Sequence, residues 1–374
     1  MESESLRKYK TQPSINPWLI IMLTAPLPVM LFLFFFFKWY QQRTDFSRVT
    51  QQFVQRQNTV MAYDAIRVSH EISHLLEGAA RDVRLLSLLG PTAENFRKFY
   101  LSEIPQITHL NDHGFVHHHH PLPLYNELAF YDLKGNERLR LVHGKVIQSG
   151  RSFSDCSEVQ LCDRGLLEAI LREPIGSTEV GSLLKWYSPE GSAEDDEGAT
   201  LRVAYRSAQG IFTLGLDYRH LKAILFLPTF PYQEKSDLLQ SYQSGNYIYF
   251  VDGETHIISH PKYWHVIGID KKTGKRVAPM RTDADDGKHP IRIAAYESGK
   301  LKAYFDRLLT RSFVQQTVDI FQSPNLRGAI RVLSVAPILL SIGRFKKTGV
   351  FGHVITGCSV DYFEEPKEKV IPYY

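Results

Sequence analysis

The sequence predicts an α+β protein: an N-terminal transmembrane helix, a long stalk helix after it, and two tandem lobes with antiparallel sheets. Three observations carry this. No charged residue stands between Lys10 and Lys38. An apolar seam at helical spacing follows. A series of strand-like and turn-like segments then occurs twice in the same order.

The core of the uncharged window is Trp18–Phe37, WLIIMLTAPLPVMLFLFFFF. At 1.5 Å rise per residue, a helix over residues 17–37 crosses the ~30 Å hydrocarbon layer. Helices apolar on every face over this length are rare in soluble cores. A cleaved signal peptide has an apolar region of roughly 7–15 residues that ends in small residues. Here the run leaves through Phe34–Phe37, Lys38, Trp39 and Tyr40 with no A-x-A site. The reading is an uncleaved anchor, with Trp18, Trp39 and Tyr40 as interfacial aromatics. Pro26 and Pro28 would kink it, which a membrane helix tolerates. Residues 1–16 form a short tail before it. Arg7, Lys8 and Lys10 precede the span and Lys38, Arg43 and Arg48 follow it, so basic residues alone leave its orientation tied.

Beyond the anchor, Met61, Ala65, Val68, Ile72, Leu75, Ala79, Val83 and Leu86 recur at three- and four-residue spacings. Gly90 is a cap and Pro91 a stop. A helix from Arg43 to Leu89 would be ~70 Å long, and residues 43–90 are read as a stalk. Its seam suits either a homodimer through the stalk or packing on the chain's own lobes.

From Pro121 the pattern changes to strands. Glu127–Asp132 and Glu137–Val142 flank the turn Leu133-Lys134-Gly135-Asn136, a hairpin. Leu201–Ala208 and Gly210–Asp217 make a second strand pair, with a short helix around Tyr218–Leu227 and a boundary at Pro228 and Pro231. The order then recurs. Tyr247–Asp252, Gly253-Glu254 and Thr255–His260 repeat the first hairpin, Ala329–Pro337 stands for Leu201–Arg206, and Gly349–Tyr362 echoes Gly210–Tyr218. The lobes are placed at 91–228 and 229–365, with 366–374 as a C-terminal tail.

Composition sets outer limits. A chain of 374 residues that is 43% hydrophobic can bury two cores. Net charge is +4 with no basic block, which excludes a nucleic-acid partner. Cys156 and Cys162 close a short loop that suits either a disulfide or two free buried thiols, and Cys358 is left over.

Several motifs carry chemistry on paper. His70-Glu71-Ile72-Ser73-His74 matches H-E-x-x-H, in which two histidines one turn apart bind zinc and the glutamate is the base. A membrane-tethered metallopeptidase would use His70 and His74 as ligands and Glu71 as base, with Glu77 the one available third ligand. Helical phase opposes it: both histidines lie about 160° from the seam, on a polar side with Tyr63, Arg67 and Arg81. A catalytic zinc needs a walled cleft. His117–His120, with His113 nearby, can be read as a divalent-metal cluster or as a polar loop before Pro121. Glu190–Glu197 and Asp283–Asp286 lack calcium-loop spacing, and His260-Pro261 reads as a strand end. No cofactor motif is present.

The run Gly245–Pro261, GNYIYFVDGETHIISHP, with Tyr263-Trp264 and Gly268, resembles the membrane-proximal half of double Cache sensor domains. Gly210–Leu221, GIFTLGLDYRHL, resembles the closing strand and helix of their distal half. Gly349–Phe363, GVFGHVITGCSVDYF, resembles the closing strand of the proximal half. The resemblance covers roughly residues 17 to 365. It implies two PAS-like lobes on a stalk helix outside the inner membrane of a bacterium, N-terminus cytoplasmic, in a non-enzymatic, cofactor-free module that binds a small molecule and relays occupancy. The amino-acid-binding version of the family carries Arg-x-x-Trp-Tyr, whereas here Leu183 stands three residues before Trp186-Tyr187, so no amino-acid ligand is expected. Ligand contacts are expected in the distal lobe. Alternation puts Arg202, Ala204 and Arg206 on one strand face and Leu201, Val203 and Tyr205 on the other. An anion would be met by Arg202 or Arg206, supported by Trp186, Tyr187 or Tyr205. Ordinary sheet-face ion pairs are the competing reading. Either these residues are the sensory part of a longer protein, or the molecule acts through a signalling partner.

Overall fold

The computed structural model describes residues 26–109, 118–147, 163–187, 199–225, 247–259, 267–270, 275–279, 281, 292, 319–324 and 330–359. The chain divides into two units, Gln57–Glu365 and Met1–Arg56 together with Pro366–Tyr374. The long helix α1 runs Pro26–Leu89. Its predicted seam is buried: Ala65, Val68, Ile72, Ala79, Val83 and Leu86 are all almost fully enclosed, and Met61 borders them. One position differs, since Leu76 takes the core place expected of Leu75. Gly90 ends the helix at φ +86°, a left-handed conformation that a Cβ would disfavour. Helix α2 (Ala93–Ser102) follows, capped by the Thr92 hydroxyl, which accepts from Asn95 N–H.

Strands β1 (Gln106–His109) and β2 (His118–Pro121) form an antiparallel ribbon. The first lobe is built from β3 (Tyr125–Tyr131), β4 (Glu137–Val142), β5 (Lys145–Ile147), α3 (Arg164–Arg172), β6 (Thr178–Tyr187), β7 (Thr200–Arg206), β8 (Ile211–Asp217) and α4 (Tyr218–Leu225). The second contains β9 (Tyr247–Asp252), β10 (Ile257–Ser259), β11 (Ile267–Asp270), β12 (Asp319–Pro324), β13 (Ile330–Leu339), a single 3-10 turn at Gly343–Lys346, and β14 (Val350–Ser359).

One sheet has the order β11-β6-β7-β8-β3-β4-β5, the other β10-β9-β14-β13-β12. Among the described residues every strand pairing is antiparallel except β11 on β6, so a strand from beyond residue 229 joins the first lobe's sheet in parallel. Helix α1 serves both sheets. Ile72, Leu76 and Val83 share one core with Leu128, Val203 and Leu214 of the first sheet and Phe250 and Val354 of the second. Polar ties fix the helix further: Tyr125 donates to Asp82 at 2.5 Å, and Arg84 Nε to Thr178 Oγ1 at 3.1 Å.

The two hairpin turns of the predicted repeat match at the level of single atoms. Asp132 Oδ1 accepts the backbone N–H groups of Lys134 and Asn136, both at 2.9 Å. Asp252 Oδ1 accepts those of Glu254 and His256, again at 2.9 Å. Both turns need a left-handed residue, supplied by Gly135 in the first and Thr255 in the second. The lobes are also joined directly. Glu179 on β6 is buried, and its two carboxylate oxygens accept the backbone N–H of Arg344 at 3.1 and 3.0 Å.

Side chains from Val29 to Phe37 on α1 are all exposed. Among the described residues no helix is long and apolar enough to cross a membrane. Residues 17–25 of the expected span lie outside them.

Candidate functional site

The first sheet has two unlike faces. Leu128, Phe130, Leu139, Leu141, Leu201, Val203, Phe212 and Leu214 point to α1. The opposite face carries Glu127, Ala129 and Tyr131 of β3, Arg140 of β4, Arg202, Ala204 and Arg206 of β7, and Thr213 and Gly215 of β8. Leu166, Leu167 and Ile170 of α3 cover part of it, against Ala129, Tyr131, Ala204 and Ile211.

Register explains how charge is held there. Arg202 pairs across Gly215 with Glu127, so the three lie on one rung. With no side chain between them, Arg202 Nε donates to Glu127 Oε1 at 2.9 Å and Nη2 to Oε2 at 2.8 Å. A Cβ on Gly215 would stand 2.6 Å from Thr200 Cγ2 and 2.9 Å from Glu127 Cβ. Gly215→Val is therefore expected to cost about 1–3 kcal/mol by overpacking, read by thermal unfolding. Gly253→Ala, with its nearest neighbour at 3.4 Å, is the control that costs little.

The next rung is Ala204, Thr213, Ala129 and Arg140, small residues closed by a second guanidinium. Arg140 Nη2 donates to Glu137 at 2.7 Å and to Tyr131 OH at 2.9 Å, and Nη1 lies 3.7 Å from Glu127. Burial would raise the Glu127 pKa, but the Arg202 and Arg140 charges outweigh it and hold the carboxyl at about 2. Burial pushes the Tyr131 phenol up to about 12. Not every polar atom is satisfied. Arg202 Nη1, Arg140 Nε, Thr213 Oγ1 and Asn126 Oδ1 are buried without a hydrogen-bond partner among the described residues.

The residues expected from the sequence are distributed unevenly. Arg202 and Arg206 share this face as alternation requires. Arg206 is spent on the end of α3, donating to the Leu171 carbonyl at 2.5 Å and to that of Glu173. Tyr205 lies on the other face, half-buried against the α1 core. Trp186 and Tyr187 end β6 opposite Ile269 and Asp270, and their side chains lie outside the described part. Glu127, Arg140, Glu137 and Thr213 were not anticipated. Their signal was the same period of two: polar residues alternating with apolar ones on strands buried on both faces.

On α1, His70, Glu71 and His74 are exposed and Glu77 half-buried, as helical phase requires. Among residues whose side chains are described, no group of three His, Cys, Asp or Glu is placed to hold a metal. Cys156, Cys162, His113, His117, His260, residues 190–197 and residues 283–286 lie outside the described residues. The polar loop expected before Pro121 is in part strand β2, which takes in His118–His120.

No family model and no curated protein matches the sequence. Solved structures do match. The periplasmic sensory domain of the Campylobacter jejuni chemoreceptor Tlp1 aligns over 84% of this chain and 99% of its own, at 9% identity and TM-score 0.50. A domain from a Vibrio parahaemolyticus protein titled sensory box/GGDEF aligns over 84% and 99%, at 13% identity and TM-score 0.48. The first likeness establishes the fold. It is that of two sheets, antiparallel but for one strand pair, which share one long helix.

Proposed function

We propose that this chain is a bacterial extracytoplasmic sensor module, tethered through its N-terminal apolar helix, that binds a small polar molecule on the first lobe's sheet face beside α3. The observation that carries the reading is that Arg202 Nη1, Arg140 Nε, Arg206 Nε, Thr213 Oγ1 and Asn126 Oδ1 are buried there without partners among the described residues. Buried donors and acceptors left unmade are costly, and a ligand that met them would gain what folding left open. Charge narrows the ligand. Arg202 and Arg140 are balanced there by Glu127 and Glu137. Around Arg202 and Arg140 the face thus offers guanidinium donors whose charge is already matched, which suits a neutral or zwitterionic molecule better than a free anion. Helix α3 would transmit occupancy, because its cap Asp163 also accepts Ser182 N–H of β6, the strand that meets the second lobe. The exposed apolar side chains of Val29–Phe37, preceded by more uncharged sequence, support the tether.

A thermal-shift screen of amines, nucleobases, polyols and organic acids tests this. A true ligand raises the unfolding midpoint of the native chain, and Thr213→Val, which removes one vacant hydroxyl at nearly constant volume, abolishes that rise. A ligand whose effect survives Thr213→Val and Arg202→Lys unchanged would place binding elsewhere.

A further inference from the structure

We propose that the β13–β14 hairpin is a strap, latched to the first lobe by the Glu179 carboxylate and built to open there while both sheets stay intact. Glu179 on β6 pairs directly with Ala204 on β7, so it stands on the sheet face that α3 covers. From there it reaches the 3-10 turn Gly343–Lys346 at the hairpin tip. The leading N–H groups of such a turn have no partner within it, and Ile342 before the turn has no polar side chain to cap it. The cap comes from the other lobe instead: the Arg344 N–H donates to both Glu179 oxygens, at 3.1 and 3.0 Å. Gly343 makes this approach possible, because a Cβ there would overlap the carboxylate.

The closed latch carries a penalty that opening relieves. Glu179 is buried, whereas the Arg344 side chain is half exposed and its guanidinium stands 3.9 Å away, beyond hydrogen-bond distance. Burial raises the Glu179 pKa, and the Arg344 backbone and charge offset this only in part. Hydration of the carboxylate on opening would recover that cost. The tip is also jointed. Left-handed glycines stand at both of its ends, Gly343 at φ +54° and Gly349 at φ +68°, and the β13–β14 register shifts between Ile338 and Leu339. Phe345 meets Phe351 of the same hairpin edge-on at 5.2 Å, a contact internal to the strap. Along β6, Thr178 accepts from Arg84 Nε of α1 at 3.1 Å, and Ser182 N–H donates to Asp163, the cap of α3, at 3.2 Å. The latch therefore closes on the one strand that also holds α1 and α3.

Hydrogen–deuterium exchange of the full chain in detergent, read by mass spectrometry over residues 340–349, tests the latch. Glu179→Ala is expected to speed exchange there by more than about tenfold, the loss of one hydrogen bond to a charged acceptor. Strands β7 and β8 and the Asp132 turn should keep native rates. Gly343→Ala should open the same segment from the hairpin side, because its Cβ displaces the carboxylate. Arg344→Ala keeps the backbone N–H and should change exchange by less than about fivefold. The unfolding midpoint of each variant confirms its fold, and Glu179→Gln, which keeps the volume, replaces the alanine variant if that one does not fold. Native exchange over 340–349 in the Glu179 variant, faster exchange spread evenly over both sheets, or an Arg344→Ala effect equal to that of Glu179→Ala would each overturn the proposal.

Discussion

Replacing Glu127 by glutamine is expected to destabilise the fold by about 3–5 kcal/mol, the loss typical of breaking a buried charge pair from one side. Glu127 accepts both bonds of the Arg202 guanidinium and lies beside that of Arg140, and all three side chains are buried. Glutamine leaves Arg202 without a countercharge, and its amide must present a donor where two acceptors are required. Arg140 keeps Glu137, so the damage is local to the Arg202 rung. The control is the double replacement Glu127→Leu with Arg202→Met, which removes both charges and keeps most of the volume. It should cost less than either single change, because what is expensive is the orphaned charge and not the absence of a pair. Urea unfolding of the four proteins gives the coupling directly. A loss under about 1 kcal/mol for Glu127→Gln would mean that water reaches the pair, contrary to its burial.

That pair also marks the limit of what the sequence could reveal. Period-two alternation placed Arg202 and Arg206 on one face of β7 correctly, because strand geometry is local. It could not find Glu127, which is 75 positions away and is met only once β8 is inserted between the two strands. The α1 seam was legible for the same local reason. Its exchange of Leu76 for Leu75 is a matter of which of two adjacent leucines the sheets accept, a tertiary choice. The Asp132 and Asp252 turns were readable because an aspartate bonding its own loop is a short-range device. The parallel addition of β11 to β6 was not, since no local pattern distinguishes a strand that joins another lobe's sheet. The ribbon holding His118–His120 was read as a loop because its partner β1 lies on the far side of residues 110–117.

Acidification should act on the fold through two buried groups of opposite sign, and single substitutions should separate them. His353 on β14 is buried on the face away from α1, and burial lowers its pKa from 6.5 to about 4. Between those values the unfolded chain binds more protons than the native one, so this group's contribution is complete above about pH 6.5 and is lost as pH falls toward 4. At about 1.4 kcal/mol per unit the loss amounts to about 3 kcal/mol. Asp64 on α1 behaves in reverse. Burial raises its pKa from 3.8 to about 7, with Arg67 only partly offsetting. The native chain binds the extra proton there, so stability falls as pH rises from 3.8 through 7. In the native protein the two slopes oppose each other across the window they share. Asp64→Asn should expose the His353 slope, with urea midpoints dropping steeply between about pH 7 and pH 5. His353→Gln should expose the Asp64 slope, leaving a protein that gains stability over the same interval. If both variants kept the pH slope of the native chain, neither group would be titrating inside the fold, and the burial of both would have to be smaller than the packing of α1 and β14 requires.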